Sequence, residues 1–583
     1  MHSTPNYNLA PTFPVSGKVF SGWNRIMQEL NYRIDNSNNN SYIIIVECYQ
    51  GVHHAELRSA FQLLNPALFI ESGQAFYPEE KIREITFQYV TDDAIFGYMT
   101  SLNYSDLLDP AKVDHLRAAI NKANGLVVVY GHAASLIAEN YDCLVYADMA
   151  RWEIQLRQRK HEINNLGINN ADETPGIQYK RGFFVDWRIC DRLKQQLFDK
   201  ADYWLDTNHQ DEPKMMFAAD MLNGLDAISQ SPFRVVPYFD PGPWGGQWMK
   251  HAFGLDKSKP NFAWSFDGVP EENSLLFDVE GVKFEIPSIN LVFYKSTELL
   301  GKPVEDRFGK EFPIRFDLLD TMEGGNLSFQ VHPTDTYIKE KFGMSYTQDE
   351  SYYLLDAKPG AEVFLGLKTG SNTSEMIEAL KTAQETGCEF DAGKYVNKFP
   401  ARKHDHFLIP SGTVHCSGAN SMVLEISATP YIFTFKLYDW RRLGLDGKPR
   451  AINIDHGANV IHPDRDTQFC LNELVSQVEL LAEGVGWREE RTGLHKTGFI
   501  ETRRHWFKNT VTHHTGNSVN VLNLVQGREA IVESPTAEFK PFIVHYAETF
   551  IVPARVGTYT IRPYGESKGE ECATLKAYVR TEQ

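Results

Sequence analysis

Short apolar runs alternate with amphipathic stretches through the first third of the chain. SYIIIVEC, GLVVVYGH and DCLVYADM read as buried strands. HAELRSAF, ASLIAEN and the charged RWEIQLRQRKHEI follow them in turn with helical character. Strands alternating with helices predict a parallel α/β sheet, here assigned to residues 1–228. Within it NNLGINNADETPGIQ, residues 164–178, is polar with Gly and Pro and is expected to be an exposed loop.

Past SQSPF, near residue 230, the pattern changes to short strands with Gly and Pro punctuation. SLLFDVEGVKFEIP, FPIRFDLLDTMEGGNLSFQVHP and FLIPSGTVH all alternate or run apolar, which predicts a barrel or sandwich. A helix is expected over residues 374–386, SEMIEALKTAQET, behind the cap-like SNTS, and a second helical stretch in CLNELVSQVELLAEG. After residue 490 the runs SVNVLNLVQGREAIVES, PFIVHYAETFIVPA and GTYTIRPYG predict a second small barrel, read as structural because no further ligand set stands out. The expected domains are therefore 1–228, 229–490 and 491–583.

Composition adds exclusions. The 583 residues are 42% apolar and 23% charged, a globular balance. No run of eighteen apolar residues and no basic-then-apolar leader is present, so a soluble, unexported, cytoplasmic protein is expected. The seven cysteines are scattered and form no CxxC pair, which suggests neither a disulfide framework nor a zinc ribbon. A net charge of −18 argues against nucleic acid or an anionic membrane as partner, while leaving room for a small phosphorylated metabolite held by a local basic cluster. No heptads or long exposed apolar helix point to an oligomer face, so the oligomeric state stays open.

The candidate chemistry lies in the middle of the chain. In LSFQVHP the alternation points Gln330 and His332 to one side; Glu350 heads the aromatic-rich strand in QDESYYLLD, and His415 ends FLIPSGTVH. One amide oxygen, one carboxylate and two imidazoles make a mixed donor set suited to Zn²⁺ or another first-row divalent ion. In PSGTVH, Pro410 and Gly412 shape a tight corner ahead of His415.

These motifs, with PWGG, LLDAKPGAEVFLGLK and KLYDWRRLGLDGKPRAINI in the same order, resemble the class I phosphomannose isomerases over roughly residues 235–583. The resemblance implies a double-cupin, jelly-roll fold, zinc held by Gln330, His332, Glu350 and His415, and interconversion of mannose 6-phosphate and fructose 6-phosphate. It also implies catalytic roles for Glu425, Lys436 and Arg442, and substrate contacts from Trp244, Gln348 and Arg441. Each has a plainer reading: Glu425 a solvent-facing strand end, Trp244 a core side chain, the two arginines a solvated turn. Two positions depart from the family pattern. Gln348 stands where a Lys is common, and an amide cannot move a proton near neutrality. Lys436 replaces an Arg and lacks its planar fork.

In the order of its pieces the N-terminal part resembles uridine-kinase-like P-loop phosphotransferases. A phosphate loop needs several glycines and a Lys. The corresponding stretch from Glu47 to His54 has one Gly, no Lys and a carboxylate that would repel a triphosphate, so a kinase-like scaffold without kinase chemistry is expected. The alternatives to a mannose 6-phosphate isomerase are an isomerase of another sugar and a non-catalytic sugar sensor.

Overall fold

The computed structural model describes residues 5–37, 40–138, 140–428, 431 and 433–581. They fall into two compact units, and the chain crosses between them more than once: Thr12–Ala227 joins Ser274–Tyr294, while Met1–Pro11 joins Ile228–Asn273 and Lys295–Gln583.

The first unit is built on a seven-stranded sheet ordered Val19–Ser21, Lys214–Phe217, Tyr203–Asp206, Cys143–Asp148, Ser41–Cys48, Gly125–Gly131, Leu68–Glu71. The last five are mutually parallel. Ile44, Ile45 and Val46 on the central strand are fully buried, as a sheet covered on both faces requires. The chain leaves that strand first toward one edge and later toward the other, so the residues just past Cys48 sit at a topological switch point.

Two sequence expectations change here. Ser274–Val279 and Val282–Pro287, expected in the β-rich part, form a hairpin that pairs in parallel with Thr12–Pro14 and belongs to this unit. The 164–178 segment is not an exposed loop: Asn165, Asn170 and Gln178 are buried, and Pro175–Arg181 is helical. Its amides bond to the segment's own backbone and to Asp186 Oδ2, 2.6 Å from Asn165 Nδ2, so the polar residues that read as solvated replace water for one another.

The second unit holds two antiparallel sandwiches. One pairs a six-stranded sheet, containing Arg315–Asp320, Ser421–Ser427, Glu350–Ala357 and His406–Ile409, with a five-stranded sheet containing Phe329–Val331 and His415–Ser417. The other pairs six strands from Glu479–Gly484 to Cys572–Val579 with four. Its core draws Phe507, Leu522, Leu524 and Phe550 from one sheet and Val532, Val544, Tyr559 and Ile561 from the other. The helix Thr373–Thr386 forms as expected, with Asn372 capping the Glu375 N–H. CLNELVSQVELLAEG is helical only over Cys470–Leu474. Glu479–Gly484 is instead an edge strand paired with Trp487–Gly493, because Gly486, at φ 76°, allows a tight hairpin after Val485.

Candidate metal centre

Gln330 and His332 lie on and just past the Phe329–Val331 strand, and Gln330 stands directly opposite His415 in the neighbouring strand. Glu350 opens its own strand in the facing sheet. Across the gap between sheets, Glu350 Oε2 is 3.1 Å from His332 Nε2 and Oε1 is 2.8 Å from His415 Nε2. All three side chains are 0% exposed. The corner before His415 is fixed by Gly412, at φ 81°, where a Cβ would meet His462 Cδ2 at 2.1 Å. The Gly412 N–H donates to the His332 carbonyl at 3.0 Å, tying the two ligand-bearing segments together.

The hydrogen bonds decide where the ring protons are. His332 Nδ1 is 2.9 Å from the Phe433 carbonyl and His415 Nδ1 is 2.8 Å from the Thr413 carbonyl. A carbonyl only accepts, so each Nδ1 carries a proton, and Nε2 is the ring atom turned toward Glu350. Neither His332 Nε2 nor Glu350 Oε1 has a hydrogen-bond partner. Three buried potential ligand atoms converge, all within 4.8 Å of one another. Two ligands at about 2.1 Å from a tetrahedral ion stand roughly 3.4 Å apart, so this set suits a divalent ion. With no ion among them, burial disfavours the His332 imidazolium, yet the Glu350 carboxylate more than offsets it and raises the His332 pKa. Burial likewise works against the Glu350 charge, but the two imidazoles hold its pKa well below the usual carboxylate range.

The other residues singled out in the sequence are placed as follows. Gln330 Nε2 is 3.2 Å from His415 Nε2. Gln348 is buried behind the centre, donating to Glu350 Oε2 at 3.2 Å and accepting from the Phe433 N–H at 2.9 Å. Its amide thus links Glu350 to the same residue whose carbonyl orients His332. Glu425, 8% exposed, pairs with Asp317 on one side and Tyr352 on the other, on the face that carries Glu350. Burial, then the charges of Glu350 and Asp317, push its carboxyl well above the usual range. Lys436 stands opposite Gln330 and is half-buried; burial, then Arg450, pushes it down to about 8. Arg442 bonds Asp439 at 2.7 Å and the Asn326 carbonyl, holding a turn. Arg441 is exposed, at φ 57°. Trp244 is 1% exposed and packs edge-on against Trp264, centroids 4.8 Å apart.

Three charged residues near the centre escaped the sequence reading. Arg315 and Asp317, bonded at 2.6 Å, share the inner face with Glu425. Their signal was two charges at period two inside the apolar strand PIRFDLLD. Arg450 bonds Asp439 and, at 2.8 Å, Ser328 Oγ, and no local pattern marks it.

In the first unit the protein's own groups bond to one another around the switch point, beside a pocket of about 340 Å³ lined by His53, Arg157 and Asn208. Glu47, 1% exposed, accepts from the N–H groups of Ala133 at 2.7 Å and Ser135 at 2.8 Å, and burial raises its pKa to about 7. Arg157 donates to the Gly51 carbonyl at 2.9 Å and the Thr207 carbonyl at 2.7 Å. His54 faces Glu71 at 3.5 Å, and His53 faces Glu162 at 3.9 Å.

Fold and site together define a double-sandwich β unit with a buried His/Glu/His cluster, preceded in the chain by a parallel α/β sheet. Comparison with known proteins gives one family match and several partial similarities. Residues 22–230 match a family described as "Domain of unknown function (DUF8485)". The chain is 28% identical over 232 residues to "Probable mannose-6-phosphate isomerase GmuF" of Bacillus subtilis, covering 40% of this chain and 68% of the relative. It is 28% identical over 220 residues to the mannose-6-phosphate isomerase of Streptococcus mutans, covering 37% and 64% respectively. Among solved structures, the mannose 6-phosphate isomerase from Bacillus subtilis aligns over 60% of this chain and all of its own, at 18% identity and a TM-score of 0.47. No described helix is long and apolar enough to cross a membrane.

Proposed function

We propose that this chain is a cytoplasmic, divalent-metal-dependent aldose–ketose isomerase acting on mannose 6-phosphate and fructose 6-phosphate. The observation that carries the reading is the convergence of the His332 and His415 Nε2 atoms on the Glu350 carboxylate in one buried cluster, with both Nδ1 atoms anchored on carbonyls; similarity to mannose-6-phosphate isomerases supplies the reaction class. In this reading the two sandwiches are the two cupin domains, expected at 229–490 and 491–583; the 274–294 segment belongs to the α/β unit and the second sandwich begins at Glu479. The α/β part, expected at 1–228, is a kinase-like scaffold that has lost its phosphate loop.

A Zn²⁺ or similar ion, when bound, supplies positive charge for the oxyanion that builds up as a proton leaves the carbon beside a carbonyl. His332, Glu350 and His415 hold it, and a half-turn of the Gln330 amide offers its oxygen as a fourth donor. Glu425 is the proton carrier: it lies on the strand beside that of Glu350, two residues away in register, and as carboxylate it accepts the proton leaving one substrate carbon and returns it to the neighbouring carbon; burial and the nearby charges, which raise its pKa, make it the stronger base. Lys436 places a cation that titrates near pH 8 at the edge of the same cluster, where it binds substrate oxygen. Arg442 positions the Asp439 turn, Arg441 offers an exposed cation to the phosphate, and Trp244 backs the sugar site from the core. Gln348 keeps Glu350 and Phe433 in place, a task its amide can do where a proton-transferring Lys is absent.

A coupled assay with mannose 6-phosphate, run with and without a chelator and paired with elemental analysis, tests the reading. Turnover that disappears on chelation and returns with added Zn²⁺ is expected. Turnover indifferent to chelation, or protein that takes up no stoichiometric metal, sinks it.

A further inference from the structure

A second place in the β unit is built to take a ligand. It is a cavity of about 1120 Å³ where the N-terminal residues Pro5–Tyr7, the first sandwich and the second sandwich meet. Glu350 opens its strand and Asp356, which lines the cavity, stands near the strand's other end. At about 3.3 Å per residue, the two are roughly 20 Å apart, so this cavity is remote from the metal centre.

Its lining is unlike the rest of the chain. Lys250, Lys257, Lys358, Lys403 and Arg528 face it, against the carboxylates Glu323 and Asp356. Both carboxylates are already committed: Glu323 to Lys358 at 2.6 Å, Asp356 to the Trp248 indole N–H at 2.9 Å and the Ala357 N–H at 2.9 Å. Lys250 donates to Gln247 Oε1 and the Lys259 carbonyl, and Lys403 to Gln526 Oε1, all neutral oxygens. With Lys358 paired to Glu323 and Arg528 to Glu566 at 2.9 Å, the concave cationic cluster is Lys250, Lys257 and Lys403, with the Asp356 carboxylate beside Lys403, in a protein with a net charge of −18. Burial lowers the Lys403 pKa, a cost that an anion beside it would offset.

Two aromatic rings complete the lining. Trp248 and Tyr546 stand 6.1 Å apart at 60°, each anchored by its polar atom, Trp248 on Asp356 and Tyr546 on the Leu355 carbonyl at 3.2 Å. Phe253 packs against Trp248 at 5.5 Å and the Lys403 ammonium lies over the Tyr546 ring at 5.5 Å, so a ligand's ring would meet what these contacts leave of the two aromatic surfaces, next to a cation. We propose that this cavity binds a phosphorylated ring compound, a sugar phosphate or a nucleotide, with its phosphate among Lys250, Lys257 and Lys403 and its ring against Trp248 and Tyr546. The proposal stands on this cavity alone and does not depend on the isomerase reading.

The test is calorimetric titration of the full, metal-loaded chain with fructose 6-phosphate, adenosine monophosphate or inorganic phosphate. It is repeated on His415→Ala, which disables the metal centre, on Lys257→Ala/Lys403→Ala and on Trp248→Leu. One ester is expected to bind His415→Ala with one equivalent remaining. That affinity should fall by about tenfold or more in the double lysine variant, the scale of two lost charge contacts, and should fall again in Trp248→Leu. The ester that binds names the source, sugar or nucleotide. Binding of neither ester to His415→Ala, or binding unchanged in Lys257→Ala/Lys403→Ala, overturns the proposal. Inorganic phosphate binding as tightly as either ester overturns the part assigned to the rings. If His415→Ala does not fold, stoichiometry in the unaltered protein decides: a second equivalent that the lysine pair removes supports the site, and its absence refutes it.

Discussion

The two sandwiches of the β unit each bury a pair of histidines in their interior, and they treat them in opposite ways. His332 and His415 have ring centroids 4.9 Å apart; His505 and His513 have centroids 4.3 Å apart. In the first pair both Nδ1 atoms are anchored on carbonyls and a carboxylate is set against both Nε2 atoms. In the second, Glu489 reaches only His505, at 3.1 Å, and both ring nitrogens of His513 lack a hydrogen-bond partner. Tyr559 stacks on His513 at 5.1 Å, while Lys576, pushed down to about 8 by burial, adds positive charge nearby. Proximity of two imidazoles is therefore not what makes a metal site. Only the first pair has its outer nitrogens anchored and an anion shared between the rings, which fits it to hold an ion; the second is a pair whose protonation burial opposes.

Breaking the first arrangement should have the largest effect. His415→Ala should remove bound metal and isomerase turnover together, whereas His513→Phe should leave both intact; a metal analysis beside the coupled assay reads the contrast. Glu425→Gln separates holding the ion from moving the proton: metal content should be retained while turnover falls by about 10²-fold or more, the scale of a lost general acid–base. Gln348→Ala probes the support of Glu350 and Phe433, and metal affinity measured by competition with a chelator should weaken by about 10–100-fold. Equal affinity would show that Gln348 does not position the ligands.

The smaller effects are in pH dependence. Lys436, with a pKa of about 8, should give the rate profile an alkaline limb near that value, because the cation is lost as pH rises through it. Lys436→Arg should move that limb upward out of range. His505 and His513 act on stability, and at the acid end. Burial lowers both, so below about pH 6.5 the unfolded chain takes up protons that the folded one refuses, and stability falls with pH, by about 1.4 kcal/mol for each unit of depression. His513→Phe should flatten this part of the fall in melting temperature between pH 7 and 5; an unchanged slope would show that the pair is not the sensor.

Much of this was legible in the chain where chemistry and periodicity coincide. Period two in LSFQVHP set Gln330 and His332 on one side, and the QDESYYLLD strand begins at Glu350 in the structure as in the pattern. Pairing between distant segments was not legible: nothing local says that 274–287 returns to Thr12–Pro14, or that Arg450 closes on Asp439 and Ser328. The 470–484 stretch misled because Leu474, Val475, Val478 and Leu481 fit a helical face as readily as an edge strand. The hairpin at Gly486 and the neighbouring Trp487–Gly493 strand settle the matter. Gln348 read as an impaired catalyst by its identity alone. Its function as a brace could be seen only once both ends of its amide had partners.

The Gly412 corner has a consequence for how the protein comes together. Gln330 and His415 are 85 residues apart, and the bond from the Gly412 N–H to the His332 carbonyl forms only when these two distant segments have met. Contacts of such long sequence separation are late events in folding. An ion with this affinity for the finished cage and little for the loose chain would act as a latch, captured after closure and slowing reopening.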